Sequence, residues 1–319
     1  METLPVSLKE LDRVEVLTLM DNFVDVLLGN TEIVTRPPLA TGKELPTATL
    51  LAEHGLSLLV RVQRDAEKHT ILFDTGYNSM SVLHNMEQLA VDLNEMEAIV
   101  LSHAHMDHTG SLYPILEKIS DPIPLVIHPD AFLSPRFIEE KDGTKRRFPR
   151  TLVREELSQC NVTLVESKNP TPIVDETILV TGEVERTTAF EKGMPNALIE
   201  RDGSLQRDPV TDDQALVMNL KEKGLVVISG CSHAGIVNTV RYAKKLTGIE
   251  KVHAVLGGFH LSGPFYEKIL GQTIDQLKAL SPAVVVPMHC TGRKAMDQFA
   301  REFPSSFELN SVGSTITLN

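Results

Sequence analysis

Short apolar runs alternate with amphipathic stretches along most of the chain, and their period separates strands from helices. Residues 14–19, 56–62 and 70–73 read as strands, as do 98–101, 125–128 and 162–165. Residues 215–220 and 225–229 form a hairpin around Lys221-Glu222-Lys223-Gly224. Residues 252–256 and 283–287 are apolar throughout, the mark of strands buried on both faces. Helices are predicted over 81–89, 110–118, 236–246 and 266–280. In the last, Ile269, Leu270, Ile274, Leu277 and Leu280 share one face. The order is strand-rich α/β, with no internal repeat and no low-complexity segment. No linker interrupts it, so a single domain over 1–319 is expected. Two segments read as loop insertions. One is 29–49, with Pro37, Pro38, Gly42 and Pro46; the other is 134–156, which is charged and basic.

Composition narrows the classes open to such a chain. A 42% hydrophobic, 23% charged sequence of this length buries a core without disulfide staples. With 31 basic against 43 acidic residues the net charge is −12, which disfavours wholesale binding to nucleic acid or to an anionic membrane. The three cysteines, Cys160, Cys231 and Cys290, form no paired framework and point to a reducing compartment. The longest stretch free of Lys, Arg, Asp and Glu, 224–240, is broken by polar residues and glycines and is too short to span a bilayer. A cytoplasmic protein acting on a small molecule, with neither nucleic acid nor membrane as partner, is expected.

The chemistry concentrates in Ser102-His103-Ala104-His105-Met106-Asp107-His108, directly after a predicted buried strand. In an extended segment residues two apart point the same way, so His103 and His105 can grip one metal. Asp107 and His108 follow as the chain turns into a helix, facing a second metal beside the first. Three more histidines sit at or just beyond the ends of apolar runs: His233 in Gly230-Cys231-Ser232-His233, His260 in Gly257-Gly258-Phe259-His260, and His289 in Met288-His289-Cys290. Cys231 and Cys290 each lie within two residues of one of them. They read either as soft ligands or as small buried residues in tight turns.

These motifs resemble the metallo-β-lactamase superfamily. Phe73-Asp74-Thr75-Gly76 is similar to its upstream Asp-x-Gly turn. Met20-Asp21-Asn22, Glu53-His54-Gly55 and Met288-His289-Cys290-Thr291-Gly292 extend the resemblance to the branch labelled dihydropterin synthase-like. The resemblance implies a four-layer αββα sandwich with a one- or two-metal site at one end. His103, His105 and His233 would hold one ion, and Asp107, His108 and His289 the other. It also implies Asp74 as a brace behind the ligands. Whether Cys231, His233 or His260 fills the bridging position stays open.

The expected function is a metal-dependent hydrolase. A metal-activated water would attack an ester-, lactone- or phosphoester-type bond of an anionic small molecule, with Asp107 and His260 as catalytic residues. Zinc is the first candidate for both ions, with manganese and iron open. His54, Arg146, Arg147 and Arg150 are candidates for substrate binding, the arginines as a flexible lid over the site. The alternatives are a non-hydrolytic metalloenzyme, either a dihydropterin/aminobenzene ribosyl-phosphate synthase-like transferase or a di-iron redox protein, and a binding protein with an inherited metal site.

Overall fold

Alternation along the strands decides the layering. In Ser57–Arg64, Leu58, Val60 and Val62 pack into one apolar cluster while Leu59 packs into another. Gly224–Ser229 repeats this, with Val226 and Ile228 on one side and Leu225 and Val227 on the other. A sheet apolar on both faces has to be covered on both. The structure, a computed structural model describing residues 5–40 and 42–319, meets that demand with two sheets face to face and helices on each outer face.

The eight-stranded sheet runs in the order Val162–Glu166, Ile123–Ile127, Ala98–Val100, Glu67–Phe73, Ser57–Arg64, Arg13–Met20, Thr315–Leu318, Val34–Thr35. The seven-stranded sheet runs Thr171–Ile173, Ile178–Val180, Ala215–Leu220, Gly224–Ser229, Val252–Gly258, Val284–Met288, with Glu10–Leu11 paired to Ala215–Leu220. Helices Ser81–Gln88 and Leu112–Leu116 cover the first sheet. Ile236–Thr247, Leu270–Leu280 and Arg293–Glu302 cover the second. This is the αββα sandwich. Among the described residues no helix is long and apolar enough to cross a membrane.

Parallel pairing positions the site. Glu67–Phe73 and Ala98–Val100 run parallel in one sheet, and Gly224–Ser229, Val252–Gly258 and Val284–Met288 run parallel in the other. The chain leaves these five carboxyl ends at Asp74, at Leu101-Ser102-His103, at Gly230-Cys231, at Phe259-His260 and at His289.

Three local features depart from the sequence reading. The helix predicted over 110–118 is split into Met106–Thr109 and Leu112–Leu116. Gly110 docks on the Asp74-Thr75-Gly76 turn, its N–H bonding the Gly76 carbonyl at 2.7 Å; a Cβ there would overlap the Tyr77 carbonyl. The predicted helix over 266–280 begins as turns and becomes regular at Leu270. The segment 134–156, read as a loop, carries strands Arg136–Glu139 and Lys145–Arg147 and a short helix, Arg154–Leu157. Its hairpin joins Ala197–Arg201 and Ser204–Arg207 in a separate four-stranded sheet. The charges of the segment mask the pattern, because this small sheet packs on only a few apolar side chains, among them Met194, Ala197 and Val210. Among the described residues of segment 29–49, the short strand Val34–Thr35 is the one regular element.

The helix Ile236–Thr247 starts immediately after the site and is capped from a distance. Glu191 is buried, and its two carboxylate oxygens accept from Val237 N and Asn238 N, each at 2.9 Å. Gly235, at φ +101°, makes room for that carboxyl; a Cβ would overlap it. Glu191→Ala leaves two first-turn N–H groups buried without a partner, and we expect urea unfolding to show a loss of about 1–2 kcal/mol.

Candidate metal centre

Two groups of donor atoms meet between the sheets. His103 Nε2, His105 Nδ1 and His233 Nε2 form a triangle with sides of 3.0, 3.1 and 3.2 Å. Beside it, His108 Nε2 lies 3.2 Å from Cys231 Sγ, and Asp107 Oδ2 lies 3.3 Å from His289 Nε2 and 3.9 Å from His108 Nε2. The donor atoms within each group lie within 4.8 Å of one another, and all seven residues are buried. His103 and His105 are presented by the extended exit of Ala98–Val100, and Asp107 and His108 by the one-turn helix that follows.

Hydrogen bonds behind three of the rings, His103, His108 and His289, fix which of their nitrogens faces inward. Asp74 Oδ1 accepts from Ser102 N and Asp74 Oδ2 from Ser102 Oγ, both at 2.7 Å. Asp74 Oδ2 also lies 2.6 Å from His108 Nδ1, so that nitrogen carries a proton and Nε2 is the atom turned to the site. Ser102 Oγ, having spent its hydrogen on Asp74, accepts from His103 Nδ1 at 2.9 Å, which leaves His103 Nε2 as a lone pair. On the opposite sheet His289 Nδ1 donates to Asn22 Oδ1 at 3.0 Å, and Asp21 Oδ1 accepts from His289 N at 2.8 Å. His289 Nε2 is then buried with no hydrogen-bond partner.

The titration pattern follows from burial and charge. Burial first, then neighbouring histidine charge, pushes His103 and His233 well below the ordinary imidazole value. Burial lowers His105 to about 4. Burial also opposes a charge on His108, but the carboxylates of Asp74 and Asp107 outweigh it and raise that ring to about 9. Asp107 sits well below the usual carboxylate range, because His108 and His289 outweigh its desolvation. Three neutral nitrogens aimed at one point cannot all satisfy one another by hydrogen bonding. Together with the orphaned His289 Nε2, they fit a site built for cations.

A pair of adjacent carboxylates clamps the loops that deliver these histidines. Asp212 Oδ2 accepts from Ala104 N at 2.9 Å, between His103 and His105. Asp213 Oδ2 accepts from Ala234 N at 2.8 Å, next to His233. Arg136, from the accessory hairpin, is buried and donates to both Asp212 oxygens, at 2.6 and 3.2 Å, with Asp208 Oδ2 3.2 Å from its Nε. Four residues that bound the site, Asp74, Ser232, His260 and His289, have φ between 45° and 61°, a region uncommon for side chains other than Asn and Asp.

The remaining sequence candidates lie around this cluster at different depths. His260 stands beside His233 with ring centroids 4.4 Å apart and lies within ligand range of Cys231 and His233. His54, with 63% of its side chain exposed, stands at the mouth; its Nε2 is 3.5 Å from Asp107 Oδ2, and Asn22 Nδ2 donates to its Nδ1 at 3.1 Å. Arg150 lines a small cavity with His105 and Phe148, whose ring stacks on His105 at 4.9 Å. Arg146 and Arg147 are on the exposed hairpin, Arg146 paired with Glu140. Cys290 is buried beside Cys231. The roles of Ser102, Asp21, Asn22, Arg136, Asp212 and Asp213 were missed from sequence. A usable signal existed for most of them: polar residues set directly against the ends of buried strands.

The sequence profile of the metallo-beta-lactamase superfamily matches residues 52–196, and the chain belongs to that superfamily. Within it, the chain falls in the dihydropterin synthase-like branch. It is 37% identical over 268 residues to a 7,8-dihydropterin-6-methyl-4-(beta-D-ribofuranosyl)-aminobenzene-5'-phosphate synthase of Methanocaldococcus jannaschii, covering 83% of this chain and 90% of the relative. An uncharacterized protein of the same organism is 33% identical over 265 residues, covering 83% and 93%. A crystal structure described as a metal-dependent hydrolase of the beta-lactamase superfamily superposes with a TM-score of 0.70 at 24% identity, covering 96% of this chain and 98% of that one.

Two outcomes follow from this geometry. Asp74→Asn and Ser102→Ala free the rings they brace, and each is expected to weaken metal binding about 10- to 100-fold in competition with a chromogenic chelator, with the fold retained by circular dichroism. Burial raises Asp213 to about 6 from 3.8. In the metal-free protein its contribution to stability is therefore complete below about pH 4 and is lost as pH rises through about 6. Asp213→Asn keeps an acceptor for Ala234 N, so the difference in Tm between variant and wild type should shift in favour of the variant from pH 4.5 to pH 7.

Proposed function

We propose that this enzyme is a metal-dependent hydrolase that cleaves an ester-, lactone- or phosphoester-type bond in an anionic small molecule. The observation that carries the reading is the triangle of inward-facing nitrogens beside the Asp107, His108, Cys231 and His289 cluster. His103, His105 and His233 would hold one divalent ion, and Asp107, His108, Cys231 and His289 the other. Imidazole, carboxylate and thiolate together suit zinc. When bound, two such ions supply Lewis acidity to the substrate oxygen and lower the pKa of water toward neutrality.

The chain's own residues do the rest. Asp107 Oδ2, set between His289 and His108 of the second group, orients the attacking water and receives its proton. His54, 3.5 Å away and open to solvent, carries that proton out. His260 contacts the substrate from the side of the first site. Arg150, beside the His105 ring, offers charge to an anionic group, with Arg146 and Arg147 farther out on the hairpin. The three free thiols support a reducing, cytoplasmic setting.

A second reading is favoured by the 37% identical synthase: the amine nitrogen of an aminobenzene ribosyl phosphate would attack, in place of water, a dihydropterin carbon that bears a leaving group, the C–N bond forming as that group departs with its electron pair and the amine gives up a proton. Product analysis separates the two, because only the transfer consumes the amine.

Metal analysis of the purified protein, joined to a panel of p-nitrophenyl esters, lactones and phosphate esters, tests the proposal. His105→Ala and Asp107→Ala are expected to lose bound metal and turnover together, by at least about 100-fold in kcat/KM. Full activity after exhaustive chelation would overturn it.

A further inference from the structure

Three of the ligand rings, His103, His108 and His289, are turned by hydrogen bonds to their outward nitrogens. His105 is held differently. Its Nδ1 belongs to the donor triangle, and among the described residues no protein group bonds its Nε2. The Cβ–Cγ torsion of a histidine is broad and roughly two-fold, so the ring does not choose its own plane. A neighbour has to set that plane, because a donor atom turned out of line is lost to the ion.

Packing supplies the neighbour. The Phe148 ring lies flat on His105, with centroids 4.9 Å apart and planes 9° from parallel. His103 and His233 meet the same imidazole at steep angles, 74° and 81°. Turning His105 about its Cβ–Cγ bond would drive ring atoms into the face of Phe148. Of these three neighbours only Phe148 is not itself a donor, so its hold on the ring does not depend on a bound ion.

The chain around Phe148 is fixed on both sides. Phe148 N donates to the Arg136 carbonyl at 2.9 Å. Pro149 restricts the residue before it to extended backbone. Thr151 Oγ1 lies 2.7 Å from Thr109 Oγ1, which ties the segment to the one-turn helix carrying Asp107 and His108. Arg136, whose carbonyl anchors Phe148, also reaches Ala104 N through Asp212. One segment therefore holds both the backbone before His105 and the face of its ring.

We propose that Phe148 is a positioning residue of the first donor group. Its ring fixes the plane of His105 so that Nδ1 stays aimed between His103 and His233. Phe148 does by stacking what Asp74, Ser102 and Asn22 do by hydrogen bonding. Its ring contact is with His105, a member of the first group only, so the second group is independent of it. The role rests on reading the donor cluster as the metal centre.

The test uses the full-length protein titrated with Co(II) in competition with a chelator. Visible d–d absorption reports cobalt in either group. A thiolate-to-cobalt charge-transfer band in the near ultraviolet reports the second group, which contains Cys231. Cobalt that binds without raising that band is in the first group. Phe148→Leu keeps apolar bulk and removes the flat ring; Phe148→Tyr keeps the ring. Phe148→Leu should weaken cobalt in the first group about threefold to tenfold, the loss of one stacked pair, and leave the midpoint of the thiolate band where it is in the wild type. Phe148→Tyr should restore wild-type affinity. A Phe148→Leu protein with wild-type affinity in the first group, an equal loss in both groups, or a Phe148→Tyr protein as weak as Phe148→Leu overturns the role and leaves the metal centre standing. A wild type that takes up no cobalt overturns the metal centre, and the role with it.

Discussion

Asp74 controls where two imidazole protons go, and the donor cluster depends on that control. A neutral imidazole offers one lone pair and one N–H, and a cation site works only if every lone pair faces inward. Asp74 takes the proton of His108 directly and that of His103 by way of Ser102. The carboxylate is wholly buried and lies at the exit of an inner strand, where packing on both faces leaves it no other position. His289 is turned by the separate pair Asn22 and Asp21, at the exit of Arg13–Met20. One arrangement recurs on both sides of the site: a rigid strand, then a polar residue that spends the outward proton of a ring.

The two sheets divide the remaining work. The larger sheet provides the contiguous run from His103 to His108, and the smaller provides Cys231, His233, His260 and His289 from three parallel strand ends. Neither sheet alone closes either donor group, because each group draws on both. The apolar layer between them therefore sets the spacing of the donors as well as the stability of the fold. Left-handed backbone at Asp74, Ser232, His260 and His289 is tolerated because packed strands hold the chain on both sides of these turns.

Much of this was legible in the chain itself. Strand and helix positions followed from two periods, and the His-x-His-x-Asp-His run marked, through spacing alone, residues that the structure brings together in two donor groups. The residues that escaped notice did so for physical reasons. Ser102 is an ordinary serine until its hydroxyl is placed between Asp74 and His103. Asp212 and Asp213 read as a polar turn, since their partners are backbone groups more than 20 residues away for one and more than 100 for the other. Arg136 counted toward a solvated basic segment, yet it is buried between carboxylates, and no pattern in the surrounding charges distinguishes it from exposed Arg146 or Arg147. The hairpin that carries them hid its strands for a related reason: a sheet with little apolar cover has little alternation to read.

The chain of contacts from Arg136 to Asp212 to the amide of Ala104 has a consequence for how such a scaffold diversifies. The accessory sheet forms one wall of a groove of about 860 Å³ that reaches His260, so its outer strands can change without touching the donors. It is also bolted, by a single guanidinium, to the loop between two imidazole donors. A grafted hairpin without an arginine at that point would leave Asp212 as an uncompensated charge in the interior, beside the donors it now steadies. Variation in this module is therefore free at its tip and constrained at its base, and lineages that reshape the groove should keep the bolt or replace both of its ends together.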